Sequence, residues 1–148
     1  MRKLLSEWKK FLFEEVEYEG ILKTNLDGDS LTALEAIQAM LPEEGIRLSP
    51  EDLHVTLIHQ SILKPFKDRL NTMTLPPVPE VVLDDEVFVR TSPGKKTWAV
   101  RLRNQDEMRA YVGEVMRLLG SPNVNPEPER VFHVSLANLT GNPRDSVR

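Results

Sequence analysis

Apolar residues recur along this chain in two rhythms, a helical one and a strictly alternating one, and their succession predicts an order of helices and strands. Leu4, Leu5, Trp8, Phe11 and Leu12 fall at helical spacing with Arg2, Lys3, Lys9 and Lys10 between them, which predicts an amphipathic first helix packed on its own core. A strand follows around Tyr18 to Lys23. Ser30 reads as the N-cap of a helix through Leu31, Leu34, Ile37 and Leu41, stopped by Pro42 and Gly45. Leu53 to His59 is an apolar strand and Ile62 to Met73 a short helix, after which LPPVP reads as a hinge. Strands at Val81 to Arg90 and Lys96 to Arg103 flank the turn TSPGKK as a hairpin, and a helix from Asp106 to Leu119 ends at Gly120. The Pro-rich SPNVNPEPER leads to a last strand, Val131 to Leu139, and the polar tail LTGNPRDSVR is expected to fray.

Two halves, 16–75 and 80–139, share the order strand, helix, loop, His-bearing strand. Leu41 lies 13 residues before His54, and Leu119 lies 14 before His133. The match points to an internal duplication within one domain spanning residues 1–148.

Composition narrows the function. A chain of 148 residues, 40% hydrophobic and 28% charged, is long enough to bury a core without staples. The absence of cysteine removes disulfides, thiolate nucleophiles and Cys-based metal sites, and suits a reducing cytoplasm. Glu7, Lys9 and Lys10 interrupt the stretch where a signal peptide needs an apolar core, and no apolar run reaches membrane-spanning length. The net charge of −4 disfavours a protein that coats long nucleic acid, yet Arg90, Lys95, Lys96, Arg101 and Arg103 lie in a stretch without any acidic residue. The balance leans toward a small anionic ligand.

The chemistry rests on one short device that occurs twice. His54-Val55-Thr56-Leu57 and His133-Val134-Ser135-Leu136 begin with two of the chain's three histidines. In a strand, alternate side chains share a face, so each copy presents an imidazole and a hydroxyl while its apolar residues anchor the other face. A single copy reads most simply as a core histidine; a matched pair in equivalent strands does not. Two imidazoles titrate near neutrality, so one takes a proton from an attacking hydroxyl while the other protonates the leaving oxygen of a phosphodiester. Thr56 and Ser135 are suited to donate hydrogen bonds to the non-bridging oxygens.

This doubled motif, with histidines 79 residues apart, resembles that of the 2H phosphoesterase superfamily. The resemblance implies an α+β fold of two pseudo-symmetric lobes with antiparallel sheets flanking a central cleft lined by His54 and His133. It implies metal-independent cleavage, with no cofactor, of cyclic or short oligonucleotides. The single-domain length is similar to that of phage anti-CBASS enzymes, which degrade cyclic di- and trinucleotide signals, and equally to that of RNA 2′,3′-cyclic and 2′–5′ phosphodiesterases. A monomer in the cytoplasm, the host's for a phage-borne chain, is the expectation.

Four further side chains are candidates for holding the substrate. Trp98 is available to stack on a base, although its parity with Val100 and Leu102 favours the core. Tyr18 stands on the first strand of its half. Arg101 and Arg103 share the parity opposite to Trp98 and suit phosphate contact. His59 has the opposite parity to His54 and reads as structural. Two rival readings are a non-catalytic nucleotide-binding module, for which matched acid and base are superfluous, and a metal hydrolase, for which neither tetrad carries a carboxylate at the usual ligand spacing.

Overall fold

The structure is a computed structural model that describes residues 16–18 and 22–147, with side chains from 26 onward. It is a mixed α+β fold whose strands pair antiparallel. The expected N-terminal helix through Leu4 to Leu12 lies outside the described residues. The strand expected at Tyr18 to Lys23 is two strands, β1 (Val16–Tyr18) and β2 (Leu22–Asn25), paired antiparallel; Gly20, a turn former, falls between them in sequence.

The chain divides into two compact units that do not coincide with the sequence halves; each draws segments from both. The first takes in Leu26–Val55, Val81–Arg103 and the chain from Phe132 onward. Helix α1 (Gly28–Gln38) begins earlier than its sequence signal, because Asp27 accepts the Ser30 backbone N–H at 2.7 Å and so acts as the N-cap assigned above to Ser30. It stops short of Leu41, since Pro42 disfavours helical backbone just before it. Strand β5 (Leu83–Ser92) and β6 (Lys95–Leu102) form the expected hairpin, closed by Pro93 and by Gly94 at φ 76°, the positive φ that glycine adopts at the third position of a type II turn.

Strand β7 (His133–Asn138) is central to this unit. On one edge it pairs with β6; on the other it pairs with β3 (Ile46–Arg47) and with the start of β4 (His54–Ile58). These two strands share one edge because a 3-10 turn, Pro50–Asp52, intervenes. Where they are interrupted β7 is bulged: Trp98 pairs with Ala137 but Ala99 with Ser135, leaving Leu136 as the extra residue. The Leu136 carbonyl accepts from the Leu48 N–H at 2.9 Å and from the Gln38 side-chain amide at 2.9 Å. The same amide donates to the Leu48 carbonyl at 3.1 Å, so one buried glutamine closes the gap.

The tail expected to fray is held. Asn138 is fully buried; its Oδ1 accepts the N–H groups of Thr140 and Gly141, and its Nδ2 donates to the Asn142 carbonyl and Ser146. The Thr97 hydroxyl accepts the Val147 N–H at 2.7 Å. Polar composition misleads here because a single buried amide satisfies the segment's backbone.

The second unit contains the β1–β2 hairpin, Thr56–Glu80 and Asn104–Val131. The helix expected over Ile62 to Met73 is split into α2 (Gln60–Leu63) and α3 (Lys67–Thr72) by a 3-10 turn at Pro65, whose ring lacks the N–H that a continuous helix requires. Helix α4 (Gln105–Leu118) buries Met108, Tyr111, Val112, Val115 and Met116 along one stripe. Beyond it Gly120, at φ 78°, donates to the Arg117 carbonyl and Ser121 to that of Met116, a Schellman cap. The LPPVP stretch, expected as a hinge, is tied to α4 by the Tyr111 hydroxyl, which donates to the Pro76 carbonyl at 2.7 Å. Burial pushes the Tyr111 pKa up, which keeps this donor protonated. Among the described residues no helix is long and apolar enough to cross a membrane.

Gln38→Leu keeps the bulk of the side chain but leaves two buried carbonyls short of a donor. Its expected cost is about 2 kcal/mol, read as a lower urea midpoint with an unchanged denaturant slope.

Candidate active site

The two tetrads meet through one pairing. Val55 on β4 and Val134 on β7 are antiparallel partners, and both are fully buried. Alternation then turns His54, His133 and Ser135 to the other face, and all three are half-buried. An antiparallel register centred on the valines sets His54 across from Ser135, and directly opposite Cβ atoms are about 5 Å apart. His54 and His133 lie on the diagonal of this arrangement, at about 7–8 Å between backbones. Thr56, two residues along β4, is on the same strand face as His54.

His54 opens β4 two residues after the end of the turn Pro50–Asp52, and its ring Nδ1 is 2.8 Å from the Asp52 carbonyl oxygen. A carbonyl only accepts, so Nδ1 carries the hydrogen, and proton exchange falls to Nε2. The third histidine adopts the reverse arrangement. His59 caps α2, its Nδ1 accepting the Ser61 backbone N–H at 3.2 Å, a structural role.

His133 is bordered on β6 by Arg101, its cross-strand partner. Phe88 meets the imidazole edge to face, with ring centroids 6.0 Å apart and planes at 82°. The Arg101 guanidinium carbon lies 4.0 Å from the centre of the Phe88 ring, a close cation–π contact. Arg101 is exposed, and among the described residues it forms no ion pair. An exposed cation on the strand next to an imidazole attracts anions.

The remaining candidates are distributed differently. Arg103 is engaged with Asp84 at 3.5 Å and Asp85 at 3.7 Å, so its charge is largely matched. The Asp84 carboxyl is held below its ordinary range chiefly by the Asp85 backbone N–H, with Arg103 contributing less. Trp98 is only 3% exposed, its ring lies against Gly45, and Lys96 covers it at 5.0 Å. A ring so enclosed presents no face to a nucleobase, which corrects its place among the substrate-binding candidates; strand parity with Val100 and Leu102 is the physical reason. Tyr18 lies on β1, and its side chain is outside the described residues. Among the described residues no group of three or more His, Cys, Asp or Glu side chains is arranged to hold a metal ion.

Sequence reasoning missed Phe88 and the Asp52 carbonyl. Phe88 carries a faint signal, since it pairs with Ala99, two residues from Arg101 along β6. The Asp52 carbonyl carries none, because a backbone acceptor leaves no trace in side-chain identity.

The tautomer of His54 is open to direct measurement. Long-range proton–nitrogen correlation spectra at high pH are expected to show the hydrogen on Nδ1 for His54 and on Nε2 for His59; the reverse at His54 would exclude the Asp52 contact.

Comparison with protein-family models, with curated proteins and with solved structures finds no match to this chain.

Proposed function

We propose that the chain is a metal-independent phosphodiesterase of the 2H type that cleaves short or cyclic oligonucleotides by two-histidine acid–base catalysis. The observation that carries this reading is the Val55–Val134 pairing, which turns both histidines and Ser135 toward one face. A neutral imidazole accepts the proton of the attacking ribose hydroxyl or water, and a protonated one delivers its proton to the leaving oxygen. Charge builds on the non-bridging oxygens as the nucleophile adds. Thr56 and Ser135 donate hydrogen bonds to those oxygens, and Arg101 draws the anion toward the pair.

The two-lobed arrangement with a central cleft belongs to the same proposal. Its support is the pairing itself, because an antiparallel pair has a local two-fold axis, and an axis at Val55–Val134 relates one tetrad to the other. The enzyme is proposed to act as a monomer in the cytoplasm, the host's for a phage-borne chain, where a chain without cysteine is at home.

The purified protein is expected to cleave cyclic dinucleotides, cyclic trinucleotides, 2′–5′ oligoadenylates or RNA with 2′,3′-cyclic ends in the presence of EDTA, with product identification naming the bond. His54→Ala and His133→Ala are each expected to lower kcat/KM by a factor of about 10² or more while circular dichroism stays unchanged. Full activity in either variant removes the assignment. The wild-type rate is expected to follow a bell-shaped pH profile, since one imidazole must be neutral and the other charged.

A further inference from the structure

Phe88 stands between two groups of the candidate site. Its ring meets His133 at 82° and carries the Arg101 guanidinium at 4.0 Å, while Arg101 is the strand neighbour of His133. Each of the three is thus tied to the other two by register or by ring contact. An exposed arginine on a strand samples many rotamers, so a field that depends on its position is weak unless something fixes the guanidinium. The Phe88 ring, reaching from β5 on the other edge of β6, supplies that fixation on the sheet face that it shares with His133.

We infer that Phe88 is a positioning residue: it holds the Arg101 guanidinium beside the His133 imidazole and thereby biases His133 toward its neutral, proton-accepting form. The catalytic meaning rests on the function proposed above, whereas the electrostatic effect does not. A cation beside an imidazole opposes its protonation. Among the described residues, other ionisable groups on the neighbouring strands are His54 on β4, Arg103 on β6 and, flanking Phe88 on β5, Glu86 and Arg90. Arg103 is matched by Asp84 and Asp85, and Arg90 pairs in register with Thr97, further along β6 from His133 than Arg101. Arg101 is the cation that stands in register with His133. At His54 the Asp52 carbonyl accepts from Nδ1, a contact that favours the charged ring. The two histidines thus divide the work: His133 removes the proton from the nucleophile and His54 supplies one to the leaving oxygen.

Proton NMR titration of the His133 Cε1–H, assigned through His133→Gln, tests the inference without requiring any turnover. Arg101→Gln and Phe88→Leu are each expected to raise the pH at which His133 titrates by about half a unit. The Arg101→Gln/Phe88→Leu double variant is expected to raise it no further than the larger single effect, because both changes remove the same contact. Phe88→Tyr, which keeps the ring, is expected to titrate as the wild type does. Phe88→Met fills more of the ring's volume and gives the same reading if the leucine variant does not fold. A merely structural role for Phe88 lowers the melting temperature and leaves the titration where it was. That outcome, or a double variant equal to the sum of the singles, overturns the inference. Should His133 titrate as expected in a protein that cleaves none of the phosphodiesters above, the positioning of Arg101 stands and the function falls.

Discussion

The site depends on a two-residue alternation pinned at one point. Val55 and Val134 are buried together as antiparallel partners, and the hydrophobic cost of exposing either fixes the register of β4 against β7. A slip by one residue turns every side chain to the opposite face. Such a slip of β4 would expose Val55 and drive the His54 imidazole into an apolar core, where its charged form is poorly tolerated. The face that carries the two histidines is therefore held in place by residues buried on the opposite face.

Register at that point also depends on how the strand is terminated. Beyond Ser135 the bulge at Leu136 ends the regular pairing, and β3 takes over the edge that β4 leaves. A bulge commonly leaves backbone groups without strand partners. Gln38 answers this one from α1, its single amide bridging the Leu48 and Leu136 carbonyls from opposite sides of the gap. Asn138 serves similarly two residues later by organising the segment to Val147. Both polar side chains are buried, and both act on backbone groups.

How much of this the sequence discloses follows from what kind of interaction is involved. Period-two and helical patterns located the His-bearing strands, the β5–β6 hairpin and α4, because burial on one face writes itself into residue identity. The burial of Trp98 was legible from its parity with Val100 and Leu102, and that parity rightly competed with its appeal as a stacking group. The facing of His54 and Ser135 was not legible, since pairing between strands so far apart in sequence is decided by tertiary packing. The role of Asp27 as helix cap and the splitting of α2 from α3 at Pro65 turned on local rules applied a few residues away from where they act. The order in the C-terminal segment was hidden because a buried asparagine and a turn-forming one are the same letter.

The two tetrads are equivalent in sequence and in pairing, but their surroundings differ. His54 follows a 3-10 turn whose carbonyl fixes the hydrogen on Nδ1. His133 lies instead beside an aromatic ring and a guanidinium delivered by the β5–β6 hairpin. A duplicated motif supplies two imidazoles of like intrinsic proton affinity, and two groups of like affinity are poorly matched to the opposed tasks of giving and taking a proton. Divergence in the neighbours resolves this without altering either motif. The Asp52 carbonyl at His54 and the Phe88–Arg101 pair near His133 are two contacts that distinguish the tetrads, one a hydrogen bond and the other a ring contact with a cation. Neither lies within the tetrads, so the division of labour proposed for the two histidines rests on the fold around the motif.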